Sequence, residues 1–150
     1  MSWDLPDPFL LELDVAASDI DGLGHVNNAV YVSWMERCAW SHSQYLGLDL
    51  TKYRELDRAM AVVRHEVDYL ASAHQGDHLC MGTWIVESDH KLRMLRRFQL
   101  VRPADGATLL RAQTTFACIE LSSGRPRRMP PEFVQGYGCA LVGCESLLTR

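Results

Sequence analysis

The stretch DIDGLGHVNNAVYVSWME, residues 19–36, joins a polar, glycine-containing segment to the longest helix that the sequence predicts. From Ala29 to Leu46 apolar residues recur mostly at three- and four-residue steps, which is typical of a helix with a broad buried face. Asn27 or Asn28 is suited to cap its start, and Gly47 to follow its end. At 1.5 Å per residue the helix would be a rod of about 27 Å. Such a rod needs a large apolar surface around it.

Strand-like alternation of apolar and polar residues precedes this helix once and follows it in four segments. Phe9–Val15 is the first predicted strand. The later strands are predicted over Met60–Leu70, His78–Glu87, Lys91–Arg102 and Ala107–Glu120. Turn-forming residues separate them, so we predict an antiparallel meander. Five strands and one long helix make an α+β protein, in which a curved sheet wraps the helix.

Composition and charge limit the class of protein. The chain has 150 residues, 47% of them hydrophobic, which fits one globular domain over residues 1–150. The packing of the apolar tail, residues 130–150, cannot be predicted. A net charge of −4 argues against a nucleic-acid binder. No long apolar run and no basic leader are present, so we expect a cytoplasmic protein without membrane insertion. Five scattered cysteines without a CxxC pair suggest unpaired thiols.

Asp21 stands close to the predicted start of the helix, where chemistry is possible. The first N–H groups of a helix lack partners within it, and the helix dipole adds partial positive charge there. Such donors stabilise a developing oxyanion, and a nearby carboxylate can attack an acyl carbon or deprotonate a water. Those are the parts that acyl transfer needs. An acid before a helix is also commonly a simple cap, so the residues alone leave both roles open.

The same stretch resembles the signature of the 4-hydroxybenzoyl-CoA thioesterase family of hot-dog proteins, in particular its long-chain acyl-CoA thioesterase branch. VVRHEVDYLASAHQGDHL, residues 62–79, resembles the strand and Gly-Asp turn of that family, and SSGRPRRMP, residues 122–130, is a weaker match. The resemblance implies a hot-dog fold, a long central helix wrapped by a five-stranded antiparallel sheet. It implies a thioesterase acting on acyl-CoA or on an acyl-carrier-protein thioester. No cofactor and no metal are expected.

The resemblance also assigns roles to residues of the first motif. Asp21 matches the catalytic aspartate, as nucleophile or general base, and Asn28 lies where a backbone N–H binds the thioester oxygen. His25 matches a histidine of plant acyl-carrier-protein thioesterases. Leu23 stands where those enzymes have an asparagine, so we expect His25 to orient the loop. Tyr31 matches a recurrent aromatic residue, which implies a pocket wall.

Further residues are candidates for substrate binding. Trp34 is a candidate for the wall of an apolar slot, beside Tyr31. Arginine forks suit the phosphates of CoA, so we expect Arg96, Arg127 and Arg128 to contribute, although a charge run is often only a solvated surface. Glu36, on the helix, is either a second candidate base or an ion-pair partner of an arginine.

The predicted sheet leaves an edge unpaired, which natural proteins cover. We therefore expect a homodimer or homotetramer, with the active site at the interface between protomers. The alternative to an enzyme is a non-catalytic hot-dog protein that binds acyl-CoA as a sensor or as a subunit of an assembly, because a fold does not guarantee its chemistry.

Overall fold

A computed structural model describes residues 2–143 of the chain. A short 3-10 turn, Ala17–Asp19, precedes the long helix. The five strands are β1 (Phe9–Asp14), β2 (Arg58–Tyr69), β3 (His78–Ser88), β4 (Arg93–Arg102) and β5 (Ala107–Glu120). The three α-helices are α1 (Asn28–Tyr45), α2 (Leu50–Leu56) and α3 (Pro131–Cys139). The strands form one antiparallel sheet against which α1 packs, so the predicted α+β plan is confirmed.

The order of strands in the sheet is β1-β3-β4-β5-β2. The predicted four-strand meander is therefore wrong at one step, because β2 pairs with β5 at the far edge and β1 lies beside β3. The link between β2 and β3 explains this. Its central residue, Ala73, is fully buried, and its N–H donates to the Tyr31 hydroxyl at 2.9 Å. The link thus runs past the start of α1 and carries the chain from the β2 edge to β3, which lies beside β1 on the other side of the sheet. A tight turn would have kept β2 and β3 adjacent.

Helix α1 begins and ends as its sequence predicts. The Asn27 side chain accepts a hydrogen bond from the Ala29 N–H at 2.9 Å, which makes it the N-cap. Gly47 follows the end with a φ of +81°, a conformation that favours glycine. The residues that α1 buries against the sheet and its neighbours are Tyr31, Trp34, Met35, Cys38, His42 and Ser43.

Two apolar clusters lie along α1. The first surrounds its N-terminal half and contacts β1, β3, β4 and β5. The second surrounds its C-terminal half, where α2 and α3 complete the core. Phe133 of α3 is fully buried, with its ring 4.8 Å from that of Tyr53. Helix α3, in the first half of the tail, therefore packs into the core, and residues 144–150 lie outside the described part.

Strand β2 has an exposed outer edge. It pairs with β5 on one side, and within residues 2–143 no strand pairs with its other side. Its side chains include two half-exposed valines, Val62 at 52% and Val63 at 53%. A 12-residue edge of this kind is a surface that natural proteins normally cover.

Among the described helices, none is long and apolar enough to span a membrane.

Candidate active site

A seven-residue loop, closed by a bridge between Ile20 and Val26, holds Asp21 beside the start of α1. The Asp21 N–H donates to the His25 carbonyl at 2.8 Å. Its carboxylate oxygen Oδ1 accepts from the N–H groups of Leu23 at 2.9 Å and His25 at 3.4 Å. No group within residues 2–143 donates to the other oxygen, Oδ2. The loop thus fixes the carboxylate through one oxygen and leaves the second for a substrate or a water.

Gly24 gives this loop its shape. Its φ of +79° lies in the left-handed region, and its N–H donates to the Asp21 carbonyl at 3.1 Å. A Cβ at this position would meet no atom within 4 Å, so only the backbone conformation demands glycine here.

We expect Gly24→Ala to lower the free energy of unfolding by about 1–2 kcal/mol, because an alanine is strained in the left-handed region. Chemical denaturation measures this loss. Gly22→Ala is the matched control, since Gly22 lies in the same loop, has open space for a Cβ and is not in the left-handed region. Equal stability of the two variants would contradict the assigned role of Gly24.

The backbone N–H of Asn28 is the first of helix α1. It finds no acceptor among the described residues, because the first N–H groups of a helix have no carbonyl before them in the helix and the Asn27 side chain accepts from Ala29 instead. Its carbonyl accepts a hydrogen bond from the Tyr69 hydroxyl at 3.0 Å, which ties the helix start to the end of β2. An unpaired N–H at the positive end of the helix dipole can stabilise a negative oxygen.

Tyr31 and Trp34 lie in the core beneath this helix start, each 3% exposed. Their rings meet edge to face at 5.3 Å, and burial raises the pKa of Tyr31, whose hydroxyl holds Ala73. His25 is exposed, and its ring lies 5.3 Å from that of His74. The structure therefore joins Asp21 and His25 in one loop that leads into Asn28 at the start of α1, while Tyr31 and Trp34 lie in the core.

The three arginines that we expected to bind the phosphates of CoA lie outside the Asp21 loop. Arg127 and Arg128 are exposed, and Arg127 pairs with Glu120, at the end of β5, at 2.7 Å. Glu120 also pairs with Arg58, at the start of β2. Asn28, in contrast, contacts Tyr69, at the other end of β2. The length of β2, roughly 36 Å at about 3.3 Å per residue, separates these positions. Within one chain, the loop that carries Arg127 and Arg128 therefore lies far from the loop that holds Asp21.

Arg96 is buried, with 1% exposure, although we expected it to reach phosphates at the surface. It lies on the face of β4 that also carries Met94 and Phe98, turned toward α1. The alternation along β4 already indicated that Arg96 faces inward. Residues two apart in a strand share a face, and Met94 and Phe98, the neighbours of Arg96 on its face, are apolar.

Arg96 lines a cavity of about 280 Å³ between α1 and strands β2, β4 and β5. Apolar side chains form most of its wall. A line of buried hydroxyl groups on Ser43, Tyr53 and Tyr137 supplies polar groups, with Tyr137 hydrogen-bonded to both of the others. The exposed residues Glu36 of α1 and Val62 of β2 also line it. The sequence did not reveal this cavity, because its walls come from six separate elements.

Comparison with known proteins gives the family. The model of the thioesterase-like superfamily matches residues 15–136. A curated relative, 1,4-dihydroxy-2-naphthoyl-CoA hydrolase of Synechocystis, is 25% identical over 126 residues, which covers 81% of this chain and 88% of the relative.

Two solved structures have the same fold. The crystal structure of a Synechocystis 1,4-dihydroxy-2-naphthoyl-CoA thioesterase has a TM-score of 0.79 at 24% identity and covers 88% of this chain and 96% of its own. The Staphylococcus aureus protein SAV2348, solved in complex with CoA, has a TM-score of 0.82 at 19% identity and covers 94% of this chain and 90% of its own. The expected hot-dog fold is confirmed, and the chain belongs to the thioesterase-like superfamily.

Proposed function

We propose that this protein hydrolyses acyl-CoA thioesters, with Asp21 as the catalytic residue. The observation that carries the proposal is the Asp21 loop. It fixes one carboxylate oxygen and leaves the other without a hydrogen-bond donor among residues 2–143, and the chain continues from this loop into Asn28, whose N–H starts α1. Membership of the thioesterase-like superfamily supports the reaction class, and a relative named as a CoA-thioester hydrolase supports the substrate class.

Two routes use the same groups. As a nucleophile, the Asp21 carboxylate attacks the acyl carbon, the CoA thiolate leaves, and water hydrolyses the resulting mixed anhydride. As a general base, Asp21 removes a proton from a water that attacks the acyl carbon directly. In both routes negative charge develops on the thioester oxygen, and the Asn28 N–H is the donor that would stabilise it. His25 holds the loop through its backbone, since its backbone N–H donates to the Asp21 carboxylate and its carbonyl accepts from the Asp21 N–H.

A dimer formed by antiparallel pairing of two β2 edges would complete the site. Such pairing sets the start of β2 in one protomer against the end of β2 in its partner. Asp21 of one protomer would then approach the loop of the other that carries Arg127 and Arg128, whose guanidinium groups suit the phosphates of CoA. The separation of these residues within one protomer is the reason to propose the interface, and two such dimers could form a tetramer.

We expect Val63→Asp to weaken the dimer by more than about a hundredfold, because the interface would bury a carboxylate without a partner. Sedimentation over a range of concentrations measures the change. Leu10→Asp on β1 is the matched control, since Leu10 is 45% exposed at the opposite edge of the sheet. Dissociation by the Leu10 variant, and not by the Val63 variant, would assign the interface to β1.

The test of the function is release of free thiol from a panel of short, long and aromatic acyl-CoA esters and from an acyl-carrier-protein thioester. Turnover of any of them supports the hydrolase and identifies its acyl and carrier preference. Binding of acyl-CoA without turnover would support the alternative, a non-catalytic acyl-CoA-binding protein. A single domain over residues 1–150 and a cytoplasmic location remain proposals that rest on the sequence.

A further inference from the structure

The cavity beneath α1 contains a charge without a counter-ion. Arg96 forms no salt bridge within residues 2–143, and its hydrogen bonds there all come from Nη1, to His42 Nδ1 at 2.8 Å and Thr83 Oγ1 at 3.3 Å. Its Nε is buried and has no partner. A guanidinium carries five N–H donors, so most of the donors of Arg96 are unused. A buried charge of this kind is unfavourable unless an anion joins it.

The neighbours of Arg96 do not supply that anion. Burial, with the charge of Arg96 beside it, lowers the pKa of His42 to about 3, so the ring is a neutral acceptor at neutral pH. Burial raises the pKa of Tyr53 and of Tyr137, which therefore stay protonated. Glu36 lines the same cavity, but it is exposed and forms no ion pair with Arg96 in the described residues. Burial lowers the pKa of Arg96 itself, but arginine starts so far above neutral pH that it does not lose its proton in proteins, and the guanidinium remains charged.

We propose that this cavity binds a carboxylate at the distal end of the acyl group, with Arg96 as its counter-ion. The unpartnered edge of the guanidinium contains Nε and Nη2, two parallel donors that match the two oxygens of a carboxylate. The apolar walls suit the methylene chain, and a volume of about 280 Å³ fits a short one. The substrate class is thus a CoA thioester of a short dicarboxylic acid, joined to CoA through one carboxyl group and free at the other. The choice of substrate rests on the proposed thioesterase, whereas binding of a carboxylate does not.

The cavity is placed to serve the proposed reaction. Val62 and His65 of β2 line it, and both are exposed near the edge at which the dimer is proposed to form. Antiparallel pairing of β2 edges would bring Asp21 of the partner toward this side of the cavity. The thioester would then lie at the partner's Asp21 loop while the chain extends inward to Arg96.

Binding is tested first, without turnover, by calorimetry with hexanoate and its neutral analogue hexanamide. We expect hexanoate to bind the wild type about ten- to a hundredfold more tightly, the range of a hydrogen bond to a charged group, and we expect Arg96→Met to abolish the difference. Equal binding of the two compounds by the wild type would overturn the proposal.

Two variants separate binding from a structural role. Arg96→Met should be at least as stable as the wild type, since an apolar side chain of similar length replaces an uncompensated buried charge. Arg96→Lys keeps the charge without the fork and should retain part of the preference for hexanoate. A loss of stability in Arg96→Met, together with an unchanged preference for hexanoate in that variant, would make Arg96 structural and overturn the proposal.

Turnover is tested with matched pairs of thioesters, glutaryl-, adipyl- and suberyl-CoA against pentanoyl-, hexanoyl- and octanoyl-CoA, each corrected for the rate without enzyme. We expect at least one dicarboxylic ester to exceed its neutral partner in kcat/KM by about tenfold or more, and Arg96→Met to bring that ratio near one. Equal rates within every pair would overturn the assigned substrate class while leaving the thioesterase intact. Binding of hexanoate that depends on Arg96, without hydrolysis of any ester, would support the carboxylate site and contradict the thioesterase.

Discussion

Asp21→Asn is expected to lower thiol release by about 10²–10⁴-fold, the range that a positioned proton-transfer group contributes, with a larger loss if Asp21 is the nucleophile. The amide can still accept the hydrogen bonds of the Leu23 and His25 N–H groups through its oxygen. The loop should therefore keep its shape, and only the charge and basicity of the side chain are removed. Steady-state kinetics with the best ester of the panel measures the effect.

Asp19→Asn is the matched control for that experiment. Asp19 lies two residues away in the same segment, and its carboxylate accepts from the Ala16 N–H at 2.9 Å, away from the Asp21 loop. We expect this variant to turn over at close to the wild-type rate. Equal losses in both variants would mean that the negative charge of the segment, and not Asp21 itself, supports the reaction.

Labelled water distinguishes the two routes open to Asp21. In a single turnover in H₂¹⁸O, hydrolysis of the anhydride at the aspartyl carbon leaves an original Asp21 oxygen in the product and puts a water oxygen into the Asp21 carboxylate. Mass spectrometry of the peptide that contains Asp21 would then detect the label. Label confined to the product is expected both of general-base attack and of anhydride hydrolysis at the acyl carbon, and chemical trapping of the anhydride separates those two.

Phe133→Ala should give the largest loss of stability, about 3–5 kcal/mol, because it leaves a cavity in the second core cluster. Phe133 is fully buried between Tyr53 of α2, at 4.8 Å, and Tyr137 of its own helix, at 5.6 Å. Its removal also detaches α3 from the part of the core that supports the Tyr53 and Tyr137 hydroxyl groups. Denaturation with urea, monitored by tryptophan fluorescence, measures the change.

Gln135→Ala is the matched control on α3, since Gln135 is exposed on the same helix. Alanine is a good helix former, so we expect little change in the free energy of unfolding. A Phe133 variant as stable as this control would mean that α3 contributes little to the core, in contrast to its burial.

Local patterns were sufficient for the elements that depend on local interactions. The spacing of apolar residues predicted α1 over Ala29–Leu46, and the structure has it at Asn28–Tyr45 with Asn27 as its cap. The same stretch held Asp21 and Asn28, with only six residues between them, so that the Asp21 loop leads directly into the helix start. Residues this close in the chain meet through turns and caps, whose geometry the residue types themselves determine.

Features that join distant parts of the chain were not predictable in this way. The place of β2 beside β5 depends on the link that Ala73 and Tyr31 anchor, and alternation within a strand does not specify its neighbour. The packing of Phe133 depends on α2, about eighty residues earlier. Arg96 belonged to an inward face, but only the assembled walls reveal that residues 2–143 supply no counter-ion for its charge.

The long helix, the strand-forming segments and the Asp21 loop at the helix start could be predicted from residue patterns, because each is built from contacts between near neighbours in the chain. The order of the strands, the burial of Arg96 and the cavity that Arg96 lines became visible only in the assembled fold. Those depend on which surfaces of separate elements fit together, and burial of apolar area, which drives that fit, is non-directional and leaves no local pattern.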